Sequence, residues 1–247
     1  MEYVPGRTLA DEIEQSGPVA PERFADLLDQ AASALSAAHA LGIVHRDLKP
    51  SNLMLVDEPD GSTLLKITDF GIAKAIREDL PLERPKETGF GELVGSPAYM
   101  SPEQIHSDRK LDTRTDLWSL GVVAYEALTG RSCFDQRTIT DLVLAITTRK
   151  YPPASSIRPE LPRAIDAWLA RALAVNPSDR FASAEEMARA FRAALARPTR
   201  SASSSASSVS ARSCCSSSSA RCCSSRSARR KNSPLRHRLQ PRSSATA

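Results

Sequence analysis

Four side chains set the chemistry this sequence can perform: Asp47, Lys49 and Asn52 within six residues, and Asp69 seventeen residues beyond Asn52. Asn52 and Asp69 offer hard oxygen donors of the kind Mg²⁺ prefers. Asp47 is suited to accept the proton of an attacking hydroxyl. Lys49, two residues on, is suited to bring an ammonium against a transferring phosphate. Phosphoryl transfer asks the protein for little covalent work; donor and acceptor must be aligned and negative charge neutralised. The spacing D-x-K-x-x-N, with a second acid downstream, meets both demands and is far more specific than a lone glycine-rich string.

Such residues need elements that bring them together. Residues 21–42 read as one long helix: Pro21 suits a first helical position, and Phe24, Leu27, Leu28, Ala31, Leu35 and Ala38 recur at three- and four-residue steps. Gly42 fits the left-handed stop position. Residues 53–56 and 64–68 are short apolar runs flanking the turn-rich Asp57-Glu58-Pro59-Asp60-Gly61. They predict a β-hairpin with Asn52 and Asp69 at one end. Residues 72–100 contain Pro81, Pro85, Gly89, Gly91 and Gly95 without a sustained period, and read as a long loop, of a kind that is functional or mobile in a compact domain. Residues 113–128 form a strongly apolar helix with Asp116 in its first turn and Gly130 beyond its end. Further helices are expected near 138–148, 162–174 and 183–195, the last opened by a Ser183/Glu186 capping box.

Charge divides the chain. From Arg197 onward there are eleven basic residues and no acidic one, so the 33 basic and 29 acidic residues split into a net of −7 for residues 1–196 and +11 for the remainder. The overall +4 is therefore no argument for specific nucleic-acid binding. Residues 197–247 are Ser/Arg/Ala/Cys low complexity and are expected to be disordered, since they bury too little apolar surface to offset ordering entropy. The pairs Cys214-Cys215 and Cys222-Cys223 have nothing nearby to enclose a metal, and the switch in composition also fits a reading-frame shift. No run of 18 apolar residues occurs, so no membrane span is expected. One cysteine, Cys133, lies before the tail, which fits a reducing compartment and a cytoplasmic location.

His45-Arg46-Asp47-Leu48-Lys49-Pro50-Ser51-Asn52, followed by Asp69-Phe70-Gly71, resembles the catalytic loop and metal-binding triplet of protein kinases. The resemblance covers about residues 1–195 and is to the serine/threonine class, bacterial eukaryotic-like branch; Leu48-Lys49-Pro50 is the serine/threonine form of the loop. Gly95-Ser96-Pro97-Ala98-Tyr99-Met100-Ser101-Pro102-Glu103-Gln104 resembles the substrate-docking loop with its Ala-Pro-Glu motif, Ser101 replacing Ala. The resemblance implies a mainly α-helical kinase C-lobe with a small hairpin at the cleft, comprising residues 1–196, and ATP and Mg²⁺ as cofactors. It implies Asp47 and Lys49 as catalytic residues, and Asn52 and Asp69 as metal and nucleotide ligands. Met1-Glu2-Tyr3-Val4-Pro5-Gly6 resembles the interlobe hinge, so Glu2 and Val4 would bond adenine through their backbones and Met54 would form its floor. Arg46 would pair with a phosphate on the activation loop, with Thr88 and Ser96 as candidates. His45 and Phe70 would belong to the hydrophobic spine; Asp116 would hold the His45-Arg46 turn; Glu103 would pair with Arg180.

By the same resemblance, a glycine-rich loop, a strand lysine and a helix glutamate belong upstream of the hinge, where this sequence has no residues. The start reads either as a mis-called initiator or gene fragment, or as a lobe-only regulator. The isolated chain is accordingly expected to bind ATP weakly and to transfer phosphate poorly. Two functions stay open: a protein serine/threonine kinase acting on protein Ser/Thr hydroxyls, other kinase molecules among them, and a catalytically impaired binding or regulatory module.

Overall fold

The computed structural model describes residues 6–70, 97–106 and 111–196, all within the first of two units, Met1–Ala202. Residues 1–5 of the expected hinge, the candidate phosphosites and the tail lie outside these residues. Among the described residues, a mostly helical body carries one small antiparallel sheet, as the sequence predicts.

The sheet has the order β1-β2-β3, with β1 at Arg7–Thr8, β2 at Leu53–Asp57 and β3 at Thr63–Ile67. β2 and β3 are the predicted hairpin, with Leu53 opposite Ile67 and Asp57 opposite Thr63. Leu53, Leu55 and Leu65 point into the core, whereas Met54 and Val56 take the other face, the alternation a half-buried strand requires. β1 is an addition that sequence periodicity does not reveal, because two residues have no period; it pairs Arg7 with Leu55 and Thr8 with Met54. Gly6 makes that pairing possible. Its φ is +152°, and a Cβ there would lie 2.4 Å from the Leu55 carbonyl oxygen.

Helix α1, Leu9–Ser16, follows β1 directly and was also unread in the sequence. Thr8 caps it, accepting from the Asp11 amide while the Asp11 carboxylate accepts from the Thr8 amide. Helix α2, Pro21–Ala40, ends two residues before the predicted limit, and Gly42 takes φ +75° just beyond it. Gln30 of α2 closes the outer edge of β3: its Nε2 donates to the Thr63 carbonyl and its Oε1 accepts from the Leu65 amide. A side-chain amide thus stands in for a fourth strand and blunts an exposed edge.

Helix α3 is the single turn Pro102–Ile105, and helix α4 spans Arg114–Thr129 with left-handed Gly130 as its cap. α4 is buried on nearly every side, which is why its sequence is apolar all round. Around it stand α5 (Ile139–Thr147), the short α6 (Ala154–Ile157), α7 (Arg163–Ala172) and α8 (Ala184–Leu195). α8 closes on α2 through Phe24 and Phe191, edge to face at 5.5 Å, and Trp168 of α7 meets Phe191 at 5.0 Å. The predicted Ser183/Glu186 capping box is only half formed. Ser183 accepts from the Glu186 amide, but the Glu186 carboxylate turns to the Ala182 amide and Arg171. An arginine on the neighbouring helix outcompetes the reciprocal cap.

Candidate active site

The segment joining α2 to β2 is held by a carboxylate from the middle of the protein. Asp116, in the first turn of α4, has 0 % exposure. Its Oδ2 accepts from the His45 amide at 2.9 Å and contacts His39 Nε2 at 2.8 Å; its Oδ1 accepts from the Arg46 amide at 2.8 Å. A buried carboxylate is tolerable only when so fully bonded. The turn it stabilises is strained: Arg46 has φ +63°, a conformation that ordinary side chains rarely adopt. Asp69 is a second such residue at φ +53°.

His45 bridges the two strained points. Its Nε2 donates to the Thr68 carbonyl at 2.9 Å and its Nδ1 accepts from the Asp47 amide at 3.3 Å, so the bonding partners select the neutral Nε2–H tautomer. The ring is buried and lies 4.6 Å from that of Phe70. The family resemblance implies an apolar spine for both rings; the bond from His45 to Thr68, the residue before Asp69, is a further tie.

Asp47 emerges half-buried from this turn, and Lys49 Nζ lies 3.2 Å from its Oδ2. Asn52 closes the short helical turn Pro50–Asn52; its Nδ2 donates to the Asp47 carbonyl at 2.8 Å. With the amide nitrogen committed, Oδ1 is the atom left for a cation. The Thr68 amide donates to the Asn52 carbonyl at 2.9 Å, one step beyond the Leu53–Ile67 pair, so Asn52 and exposed Asp69 sit at the same end of the hairpin. Met54 lies two residues from Asn52 on the sheet face away from the core, beside Thr8.

A narrow cleft runs from Arg46, Asp47, Leu48 and Lys49 to Tyr99, Met100 and Ser119. The far wall is also fixed from α4: the Ser119 hydroxyl donates to the Tyr99 carbonyl at 2.9 Å, and the Tyr99 hydroxyl donates to the Glu126 carboxylate. Desolvation pushes the Tyr99 phenol well above its ordinary range, and it raises half-buried Glu126 as well despite that bond. Ser119, Glu126 and His39 carry no mark in the sequence that separates them from ordinary helical residues.

Behind the cleft, Arg180 forms a two-pronged pair with Glu103, both contacts at 2.7 Å. Thr115 adds a hydroxyl to Glu103 at 2.9 Å, and Arg180 also donates to the carbonyls of Ala174, Arg114 and Val175. Burial alone would raise the Glu103 carboxyl, but the Arg180 bonds and charge outweigh it and hold it below its usual value. The pairing expected from sequence is therefore present. Of the other expected site residues, Glu2, Val4, Thr88 and Ser96 lie outside the described residues.

The model of the protein kinase domain matches residues 1–191. Among curated proteins, the serine/threonine-protein kinase Pkn1 of Myxococcus xanthus is 40% identical over 200 residues, which is 81% of this chain and 28% of Pkn1. PknB of Mycobacterium tuberculosis is 36% identical over 187 residues, 76% of this chain and 28% of that protein. The chain thus spans less than a third of the length of these relatives. A crystal structure of Rad53 1-466 in complex with AMP-PNP superposes with a TM-score of 0.60 at 28% identity, covering 76% of this chain and 44% of that one. A match over more than three quarters of the sequence, on a fold of the same kind, means that the chain belongs to the protein kinase domain family.

Proposed function

We propose that this chain carries the catalytic half-site of a serine/threonine protein kinase, with residues 1–196 as the domain part and 197–247 as a separate tail. One observation carries the reading: Asp47 and Lys49, 3.2 Å apart, share a cleft with Tyr99 and Met100 of the segment that resembles a substrate-docking loop. An acid and a cation in contact, beside a wall built from backbone and aromatic groups, suit a hydroxyl presented on an extended polypeptide.

The residues present fit magnesium nucleotide. Asn52 Oδ1 and the exposed Asp69 carboxylate are both hard oxygens at one end of the hairpin, and Mg²⁺ is held by few protein ligands when phosphates supply the rest. Bound MgATP supplies the γ-phosphoryl group and a cation that neutralises its oxygens. The chain does the remaining work. Asp47 orients the Ser or Thr hydroxyl and takes its proton at Oδ. Lys49 keeps its ammonium at the cleft mouth, where phosphate charge concentrates. Met54 offers an apolar surface beside β1 for the base, and Glu2 and Val4 are the backbone groups proposed to bond it. Arg46 is the proposed partner of a phosphate on Thr88 or Ser96. Buried Cys133 accords with a reducing, cytoplasmic setting. A binding module has no chemical need of Asp47, Lys49, Asn52 and Asp69 together.

Two measurements test this. In a magnesium-dependent nucleotide titration, Asp69→Ala abolishes the magnesium-dependent component. In transfer to a Ser/Thr protein substrate, Asp47→Asn lowers kcat by at least about 10²-fold with nucleotide affinity retained. Transfer unaffected by Asp47→Asn would overturn the assignment, as would nucleotide binding indifferent to both Mg²⁺ and Asp69.

A further inference from the structure

The strained Arg46 peptide is gripped from both sides. Its amide donates to Asp116 Oδ1 at 2.8 Å, and its carbonyl accepts from Gln104 Nε2, also at 2.8 Å. Gln104 belongs to α3, 58 residues away in sequence, and its other amide atom is engaged as well: Oε1 accepts from the Ser101 amide at 3.0 Å, closing the helix cap. The two partners leave no choice of amide orientation, because the Ser101 amide can only donate and the Arg46 carbonyl can only accept. One side chain therefore joins the start of α3, next to the docking segment, to the residue immediately before Asp47.

Energetics give the contact weight. A non-glycine residue in the left-handed region costs of order 1–3 kcal/mol and persists only where its surroundings over-determine it. Asp116 fixes the amide on one side of Arg46. The carbonyl on the other side belongs to the peptide that links Arg46 to Asp47, so its rotation would swing the Asp47 carboxylate away from Lys49. Gln104 Nε2 opposes that rotation.

We propose that Gln104 is a positioning residue for phosphoryl transfer, its amide locking the Arg46–Asp47 peptide to the first turn of α3. The role deepens the kinase reading and rests on it. The clamp makes the placement of Asp47 depend on whether α3 and the docking segment beside it are in position.

Two substitutions separate clamping from capping. Gln104→Glu keeps an oxygen for the Ser101 amide and removes the donor to Arg46; Ser101→Ala removes the hydroxyl that accepts from the Gln104 amide and keeps the clamp. Gln104→Met removes the donor without adding charge. Hydrogen exchange of the full chain is read at the amides of Arg46 and Asp47 and, separately, across α3. We expect Gln104→Glu and Gln104→Met each to speed exchange at Arg46 and Asp47 about tenfold, the loss of roughly one hydrogen bond. Gln104→Glu should leave α3 as protected as in the wild type, whereas Ser101→Ala should loosen α3 and leave Arg46 and Asp47 unchanged. In the transfer assay, Gln104→Glu lowers kcat with KM for ATP unaltered. Unchanged exchange at Arg46 and Asp47 in Gln104→Glu overturns the clamp, and so does a uniform loss of protection throughout the chain. The exchange measurement needs no turnover, so it decides the clamp even if Asp47→Asn shows the kinase reading to be wrong.

Discussion

Truncating Arg180 to alanine removes the cation of the buried pair and strands its partners. Glu103 loses its cation and keeps the Thr115 hydroxyl and a backbone amide, and the carbonyls of Ala174, Arg114 and Val175 lose a shared donor. Breaking one side of a buried, hydrogen-bonded ion pair costs about 3–5 kcal/mol. The guanidinium also sits 5.1 Å from the Trp118 ring, a contact that adds about 0.5–2 kcal/mol. For a domain of this size each kcal/mol moves Tm by roughly 2–4 °C, so Arg180→Ala is expected to lower Tm by on the order of 10 °C. Arg180→Lys, which keeps the charge and loses the fork, should fall between the two. The pH dependence has a definite sign. Glu103 is held below the ordinary glutamate value of 4.5 in the folded state, so the pair contributes fully above that pH. The contribution is lost as pH falls below 4.5 through the depressed folded value. The gap between wild type and Arg180→Ala in urea unfolding should therefore narrow in acid. A difference under about 1 kcal/mol at pH 7, against the magnitude expected for a buried pair, or a gap that widens in acid, would refute the reasoning.

Asp116→Asn replaces one carboxylate oxygen by an NH₂ group facing an N–H donor. It should cost about 1–3 kcal/mol in urea unfolding and suppress phosphoryl transfer, through loss of the left-handed turn at Arg46. Gly121→Ala sets two effects against each other. Alanine gains about 1 kcal/mol of helix propensity, but its Cβ would lie 3.0 Å from the Ala172 Cβ and 3.1 Å from Leu173 Cδ2. Because a Cβ cannot swing aside, overpacking of about 1–3 kcal/mol wins, and thermal melting should show net destabilisation.

Much of this arrangement was legible in the sequence because its signals are local. The run from His45 to Asn52 stands out by its residue types and spacing; three- and four-residue steps gave α2, an apolar run with Asp116 and Gly130 at its ends gave α4, and α5, α7 and α8 lie within a few residues of the expected helices. The hairpin followed from two apolar runs around a turn. What escaped reading has identifiable causes. β1 and the four-residue helices α3 and α6 are too short for a period to show. α1 has a local signal, the capping-box spacing of Thr8 and Asp11, but its eight residues are too few for an apolar period to stand out. Ser101 and Gln104 share that spacing as well; the cap was readable there, and the bond from Gln104 to Arg46 was not. Contacts between residues 58 or 70 positions apart, such as Gln104 or Asp116 with Arg46, leave no periodic trace. The hydroxyl of Ser119 and the imidazole of His39 belong to the same class.

Helix α4 reaches both walls of the cleft through its own side chains: Asp116 to the turn before Asp47, Ser119 and Glu126 to Tyr99, Thr115 to Glu103. It works as a datum, in the machinist's sense. The turn before Asp47 and the wall at Tyr99 are each gauged from one helix rather than from each other along the chain. The distance between Asp47 and Tyr99 is thus set across the helical body, through bonds to one helix, and does not depend on how many residues separate them in sequence.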